Sequence, residues 1–528
     1  MFGLEIVVIL GVTIFVGTGL AHSLRVAPPV IRLIGGVLLG FVPVLREVSL
    51  PPEVVLFLFL PALLFWESLT TSLREIRANF RGIVMTSTLL VVATAGVVAV
   101  IAHALGMPWG PAWVLGAALA PTDATAVGAL TRSLPRRNVT LLRAESLIND
   151  GTALVIYGIA VTFTLGEEAI TTAHISWLVL LAYGGGILIG SALAWLVLKT
   201  RSRLDHPVQE TVLSILTPFL GYLLAEMIEA SGVLAVVTAG LIMSQAAPRR
   251  ARAGTRRQSD GFWSLATYLL NASLFVLVGL ELQAAIRALE APLVIRGLLL
   301  IALVSVALIV VRIVFLFTST QLIRLLDRRP AQRLRRMSYR ARIVSGLCGF
   351  RGAVSLAAAL GVPLLLSSGE PFPERDMLVF VTAGVIVVTI VVQGILLPLV
   401  LRWAALARDT AIEQEKLLAQ RTAAEEVLMD IDRLAAQLNT EAPVTERLRQ
   451  EYATHLRVLD AGAGLVEAEE ELRHHQQYTA LRLAVLENKR ATMVRLRNEE
   501  HIDDTVLRQL QSTMDAEELR LAPEDLTE

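Results

Sequence analysis

Cysteine is almost missing from this chain: Cys348 is the only one among 528 residues. No intrachain disulfide can form, and a lone thiol in a glycine-flanked apolar run says nothing about redox compartment. Charge is scarce as well. Asp, Glu, Lys and Arg make up 18% of the residues, against about a quarter in an ordinary soluble domain. The first 24 residues lack the basic start and small-residue cleavage site of a removable leader, so Met1 to Leu24 reads as a retained span. What fills the gap is apolar. Hydrophobic residues reach 54% and mean hydropathy is +0.62, a membrane composition.

Runs long enough to cross about 30 Å of hydrocarbon, roughly 17 to 25 helical residues each, recur thirteen times in the first 406 positions. They are Leu4 to Leu24, Pro28 to Leu45, Pro52 to Leu69, Gly82 to Leu105, Trp109 to Leu130, Leu141 to Leu165 and Ile175 to Leu198. Then come Val208 to Ile228, Gly232 to Ser244, Phe262 to Leu282, Leu293 to Leu325, Ile343 to Leu366 and Met377 to Leu401. The ninth is short, and the eleventh is long enough to require tilt or an interfacial end. The expected fold is an all-α polytopic membrane protein.

Zero net charge conceals a split. Residues 408 to 528 hold 26 acidic and 15 basic side chains, a net of −11 balanced by +11 in the preceding part. Two domains follow: a transmembrane domain over 1–406 and a helical tail over 407–528. The tail is rich in Ala, Leu, Glu, Gln and Arg, broken at Glu441-Ala442-Pro443 and at Gly462 and Gly464, and predicts two or three amphipathic helices. Leu483, Leu486, Met493 and Leu496 form an apolar seam there. His474 and His475 point to different helix faces and read as solvated rather than as metal ligands.

Basic residues alternate between loops. Arg74, Arg77 and Arg81 follow the third span, Arg132, Arg136 and Arg137 the fifth, and Lys199, Arg201 and Arg203 the seventh. Arg249, Arg250, Arg252, Arg256 and Arg257 follow the ninth, and a cluster from Arg324 to Arg342 the eleventh. The loops between carry Glu167 and Glu168, or Glu370 and Glu374. Positive loops stay cytoplasmic, so the N-terminus is expected outside and the tail inside. Strict alternation with apolar spans argues against a nucleic-acid surface.

Against this background several charges are out of place. A charge at mid-bilayer costs roughly 2.5 to 3.5 kcal/mol on insertion scales, so such residues are normally paired and mark ion or proton pathways. Asp123 lies in Pro121-Thr122-Asp123-Ala124-Thr125, and Glu145 and Asp150 in Glu145-Ser146-Leu147-Ile148-Asn149-Asp150. Ser146 and Asp150, four apart, share one helix face, while Glu145 and Asn149 share its neighbour. Pro121 removes a backbone donor inside a span, so the fifth helix is expected to break around Thr122 to Ala124. The twelfth span carries Gly346, Gly349 and Gly352 around Arg351, a second expected interruption. Paired interruptions in two halves point to an inverted-repeat transporter. Arg312 sits midway along the eleventh span. Glu67, Glu226 and Glu281 lie near span ends and are expected to reach water.

Asp123, Glu145, Asp150, Arg312 and Arg351 sum to −1 when all are ionised. One monovalent cation or one proton restores neutrality, which suggests a site that holds either and exchanges them. No cofactor is implied, and the chain is not expected to be an enzyme.

At these residues the chain resembles the monovalent cation/proton antiporters, in their sodium/proton exchanger branch. The resemblance covers roughly Leu4 to Leu401 and rests on Asn149-Asp150 and on Gly349-Phe350-Arg351-Gly352-Ala353-Val354. It implies a thirteen-span protomer in a homodimer, with inverted repeats, two broken crossing helices and a six-helix core that moves elevator-fashion in the plasma membrane. Asn-Asp members are similar in being electroneutral. The resemblance assigns the cation, sodium or lithium, or the proton to Asp150, with Asp123, Ser146 and the Thr122 carbonyl lining the site and Asn149 stabilising it. It pairs Glu145 with Arg312 and has Asp123 and Arg351 balance half-helix dipoles. Ala124 departs from the family, which often has Pro there. Membrane lipid is the expected surroundings.

Three other readings are open. Potassium/proton exchange uses the same oxygen chemistry. A cation channel would need an acidic ring around one pore, which the buried arginines oppose. An intramembrane aspartyl protease would carry Tyr-Asp and Gly-x-Gly-Asp signatures, which neither Thr122-Asp123 nor Asn149-Asp150 supplies.

Overall fold

Within hydrocarbon a backbone has no water to bond, so a chain of apolar runs must close its own hydrogen bonds as helices. In a computed structural model of the protein, every element among the described residues is helical, and only Leu365 and Pro371 form an isolated bridge. The structure describes residues 2–24, 26–42, 55–123, 136–166, 172–204, 206–250, 253–326, 338–406, 411–462, 469–499 and 501–521.

Each of the thirteen expected spans contains helix. Eight are long and apolar enough to cross a membrane: Val7–Leu24, Phe80–Ala104, Asn138–Leu165, Ser176–Arg201, Pro207–Glu226, Gly254–Arg287, Ala291–Gln321 and Arg375–Ala404. Pro28–Leu39, Phe57–Thr70 and Gly232–Ala246 are shorter apolar helices. The fifth span is represented by Trp109–Leu119, and the twelfth by two pieces, Tyr339–Leu347 and Ala353–Leu360. Large apolar side chains face outward, among them Phe15 at 81% and Leu188 at 71% exposure. In water such a surface would drive association; against acyl chains it is the matching solvent.

Lipid supplies no hydrophobic drive between helices, so tight packing depends on small residues that let backbones approach. Gly36 and Gly279 do this between the second and tenth spans. A β-carbon at Gly36 would lie 2.0 Å from the Val276 carbonyl oxygen, and one at Gly279 would lie 2.3 Å from that of Leu33. The described residues form six apolar clusters, two of them large. One joins the fourth, fifth, eleventh, twelfth and thirteenth spans with the tenth, around residues such as Leu115, Leu300, Phe350 and Phe380. The other gathers the third, seventh, eighth and ninth spans and the start of the tenth around Phe65 and Trp263, whose ring centroids are 5.4 Å apart.

The chain divides into two compact units, Met1–Arg408 and Asp409–Glu528. The second holds four helices rather than two or three: Ala411–Leu438, Ala442–Gly462, Glu469–Asn498 and Asp504–Leu521. The unforeseen break precedes Asp504, where no proline or glycine marks it. Asp503 replaces them, its Oδ1 accepting from the Thr505 amide at 2.7 Å in an N-cap contact. Leu486 is buried in the expected seam, with Leu483, Met493 and Leu496 half-buried beside it. His474 and His475 are exposed. Ala124, Thr125, Arg132, Glu167, Glu168, Arg252, Gly464 and the arginines from Arg328 to Arg336 lie outside the described residues.

Candidate functional site

The two expected interruptions meet. The Trp109–Leu119 helix ends before Pro121, and Thr122 and Asp123 continue without helical structure. In the twelfth span the helix stops at Leu347 and resumes at Ala353, leaving Cys348 to Gly352 unwound. The Asp123 amide donates to the Phe350 carbonyl at 2.8 Å, so the breaks are laced backbone to backbone.

Helix ends expose unpaired carbonyls and amides, and in lipid each needs a charge or donor. Arg351, 2% exposed, supplies one: its Nε donates to the Leu119 carbonyl at 3.0 Å and its Nη1 to the Gly349 carbonyl at 2.5 Å. One cation thereby serves the C-terminal ends of both half-helices. Asp123 is the opposite pole. Its carboxylate lies against Gly352, the residue that opens the Ala353–Leu360 half-helix, where an anion faces the amide end.

The Arg136–Leu165 helix carries the rest on one buried flank, with Glu145, Ser146, Asn149 and Asp150 all under 7% exposed. Glu145 and Arg312 form a two-pronged pair at 2.5 and 3.2 Å, and the Arg312 Nε donates to the Ser345 carbonyl at 3.1 Å. All three guanidinium nitrogens of Arg312 are thus engaged. Asn149 donates through Nδ2 to the Thr122 hydroxyl at 2.9 Å, tying the sixth helix to the fifth-span break.

Thr122, Asp123, Ser146 and Asp150 line one chamber of about 30 Å³, room for a bare ion or a water. Asn149 braces its wall. Glu145, Arg312 and Arg351 stand behind it rather than in it.

Three further polar residues line the chamber and were not anticipated: Glu67, Asn271 and Ser355. Glu67 is half-buried and also faces the chamber, a placement that its position near a span end did not announce. Leu60, Leu63, Leu64 and Glu67 all line the chamber, so they form one inward stripe of the Leu60–Thr70 helix. The Glu67 Oε1 is buried with no hydrogen-bond partner. Spacing of three, one and three residues was the available signal. Glu226 is exposed and Glu281 half-buried, in keeping with their places near span ends. Glu67 also revises the charge count, from −1 to −2 if every group is ionised.

Among the described residues no three of His, Cys, Asp and Glu stand close enough together to hold a metal ion by themselves. The chamber offers hydroxyl oxygens beside its carboxylates. Interrupted helices meeting at a buried, carboxylate-lined chamber define an ion transporter of the multi-pass membrane kind.

The comparisons narrow that class. The profile described as "Sodium/hydrogen exchanger, transmembrane" matches residues 10–403, and the chain belongs to this family. An uncharacterised Na+/H+ exchanger of Mycobacterium tuberculosis is 43% identical over 524 residues, 99% of this chain and 96% of that one. A sodium, potassium, lithium and rubidium/H+ antiporter of Bacillus pumilus is 32% identical over 416 residues, 75% of this chain and 61% of that one. In fold, the sodium proton antiporter MjNhaP1 of Methanocaldococcus jannaschii superposes with a TM-score of 0.59 at 18% identity, covering 76% of this chain and 99% of that one. The chain is a polytopic sodium/proton antiporter by family, a transporter and not an enzyme.

Proposed function

We propose that this chain exchanges one sodium or lithium ion for one proton across the plasma membrane, electroneutrally, with the two competing at Asp150. The observation that carries the reading is the shared chamber: Asp150, Asp123, Ser146 and Thr122 line one small space where two half-helices meet. Ionised Asp150 takes the cation, while Asp123, the Ser146 hydroxyl and the Thr122 carbonyl complete its oxygen shell. Asn149 holds the Thr122 segment in place through its hydroxyl contact. Arg351 and Asp123 hold the half-helix ends, and Glu145 neutralises Arg312, so neither arginine needs to be met by the transported ion.

The chamber draws its walls from the fifth, sixth and twelfth spans and from the third and tenth. Sliding of the first set past the second would open the site to alternate faces, an elevator movement within a homodimer. The loop charges favour an external N-terminus and a cytoplasmic tail. One-for-one exchange requires Glu67 to keep the same charge state throughout the cycle; a change there would move net charge. A membrane potential imposed on proteoliposomes should then leave the exchange rate unaltered.

Sodium-driven proton flux in proteoliposomes tests the assignment. Asp150→Asn should abolish it while folded yield stays normal, and retained proton-coupled uptake would reject Asp150 as the site. Potassium/proton exchange is the second reading, favoured by the breadth of ions named for the Bacillus pumilus relative. The same assay run with sodium, lithium and potassium separates the two.

A further inference from the structure

Buried hydroxyls in the membrane helices of this chain have a regular way of being satisfied. Ser68 donates to the Leu64 carbonyl at 2.5 Å, Ser87 to that of Ile83 at 2.6 Å and Thr217 to that of Leu213 at 2.7 Å, each four residues back in its own helix. Ser355 cannot do this. It is the third residue of the Ala353–Leu360 half-helix, and the residue four back is Arg351, in the unwound segment. The carbonyl four back therefore belongs to no helical turn.

Its hydroxyl is consequently left over. Ser355 is 1% exposed, its Oγ is buried with no hydrogen-bond partner, and the residue lines the same chamber as Asp150, Asp123 and Ser146. Tyr157, Thr255, Ser305 and Thr382 also have unpartnered buried hydroxyls, but none of them lines the chamber. An unsatisfied hydroxyl is costly where nothing can solvate it. Beside the carboxylates the chamber offers a desolvated cation neutral hydroxyl oxygens, and among the described residues no three acidic or imidazole groups stand close enough to hold a metal ion by themselves.

We propose that Ser355 is a cation ligand of the transport site, giving its hydroxyl oxygen to the sodium ion from the twelfth span, opposite Ser146 on the sixth. This rests on the sodium/proton reading above and adds a residue to it. The ion then bridges the sixth helix and the resumed half-helix, so that binding ties the two crossing segments together. The same hydroxyl can donate to a carboxylate once the cation has left, so it stays satisfied in the proton-loaded state.

Ser355→Ala tests this in the full-length protein. Loss of one oxygen ligand should raise the sodium KM of exchange about tenfold, with a smaller loss at saturating than at limiting sodium. The sodium concentration that half-maximally raises the melting temperature of the purified protein should shift by the same factor. Ser355→Thr, which keeps the hydroxyl, should recover most of both. Should the alanine variant not fold, Ser355→Cys takes its place: sulfur is a poor ligand for a hard cation, and the same rise is expected. Unchanged sodium dependence in both measurements would overturn the proposal, and so would an equal loss at every sodium concentration with an unshifted melting titration. If Asp150→Asn abolishes exchange while Ser355→Ala leaves sodium dependence alone, only this inference falls. Full exchange in Asp150→Asn would remove the reading beneath it.

Discussion

The carboxylate of Asp123 fills the space where Gly352 would carry a side chain: a β-carbon there would lie 1.7 Å from Oδ2 and 2.6 Å from Cγ. Asp123 has little room to yield, because its own amide is bonded to Phe350 two residues away from that glycine. Gly352→Ala must therefore push the carboxylate out of the chamber or unseat the half-helix. Overpacking of this kind costs about 1–3 kcal/mol. We expect exchange to fall at least about tenfold and the melting temperature of the purified protein to drop by several degrees. Wild-type exchange in this variant would show that the Asp123 carboxylate has no fixed place against the half-helix.

Glu145 and Arg312 make the second prediction. The pair is buried on both sides, with side-chain exposures of 8% and 3%. Removing one partner of such a pair costs roughly 3–5 kcal/mol because a bare charge is left in an apolar site, whereas replacing both with apolar residues is often neutral. Glu145→Ala should sharply reduce folded yield and melting temperature, and Glu145→Leu combined with Arg312→Met should recover much of the loss. Normal stability in the single variant would mean that Arg312 finds another anion.

Which of these features the sequence displayed depends on how local their causes are. Spans were legible because bilayer thickness sets a length that composition alone can meet. The breaks were legible because Pro121 and the glycines around Arg351 act on their own backbone, whereas the Glu145–Arg312 pair came only from the family resemblance, since charge alone does not say which buried carboxylate meets which arginine. Glu67 and Asn271 were not, since their roles depend on which face of a neighbouring helix turns toward the chamber. Ser355 is a subtler case: its importance follows from where the half-helix restarts, which glycine spacing brackets without fixing to the residue.

In the tail, the capping carboxylate of Asp503 is held below its ordinary range, first by the Thr505 backbone amide. A depressed folded value means that the cap's contribution is fully present above the ordinary Asp range, near pH 4, and is lost as pH falls through the lowered value. Amide exchange in the first turn of the Asp504–Leu521 helix should accordingly quicken in acid. Asp503→Ala should show that quickening at neutral pH and lose its acid dependence. The group is fully exposed, so the effect should stay within that turn and leave transport untouched. Equal protection in the variant and the native chain would show that the helix start holds without its cap.

Competition at a single carboxylate has a kinetic signature that separate sites do not share. If Asp150 holds either the proton or the cation, protons act only by withdrawing the empty, ionised form. Lowering the pH on the sodium-binding side should then raise the sodium KM and leave the maximal rate where it was. Once the site is mostly protonated, each further unit of pH should raise KM about tenfold, by mass action alone. Excess sodium should restore the full rate at every pH within the stability range of the protein. A proton bound elsewhere would behave differently, lowering the maximal rate at saturating sodium while leaving KM nearly constant. Initial rates in proteoliposomes across a grid of sodium concentration and pH distinguish the two patterns. Glu67, in the same chamber, is the group that would have to answer for the second.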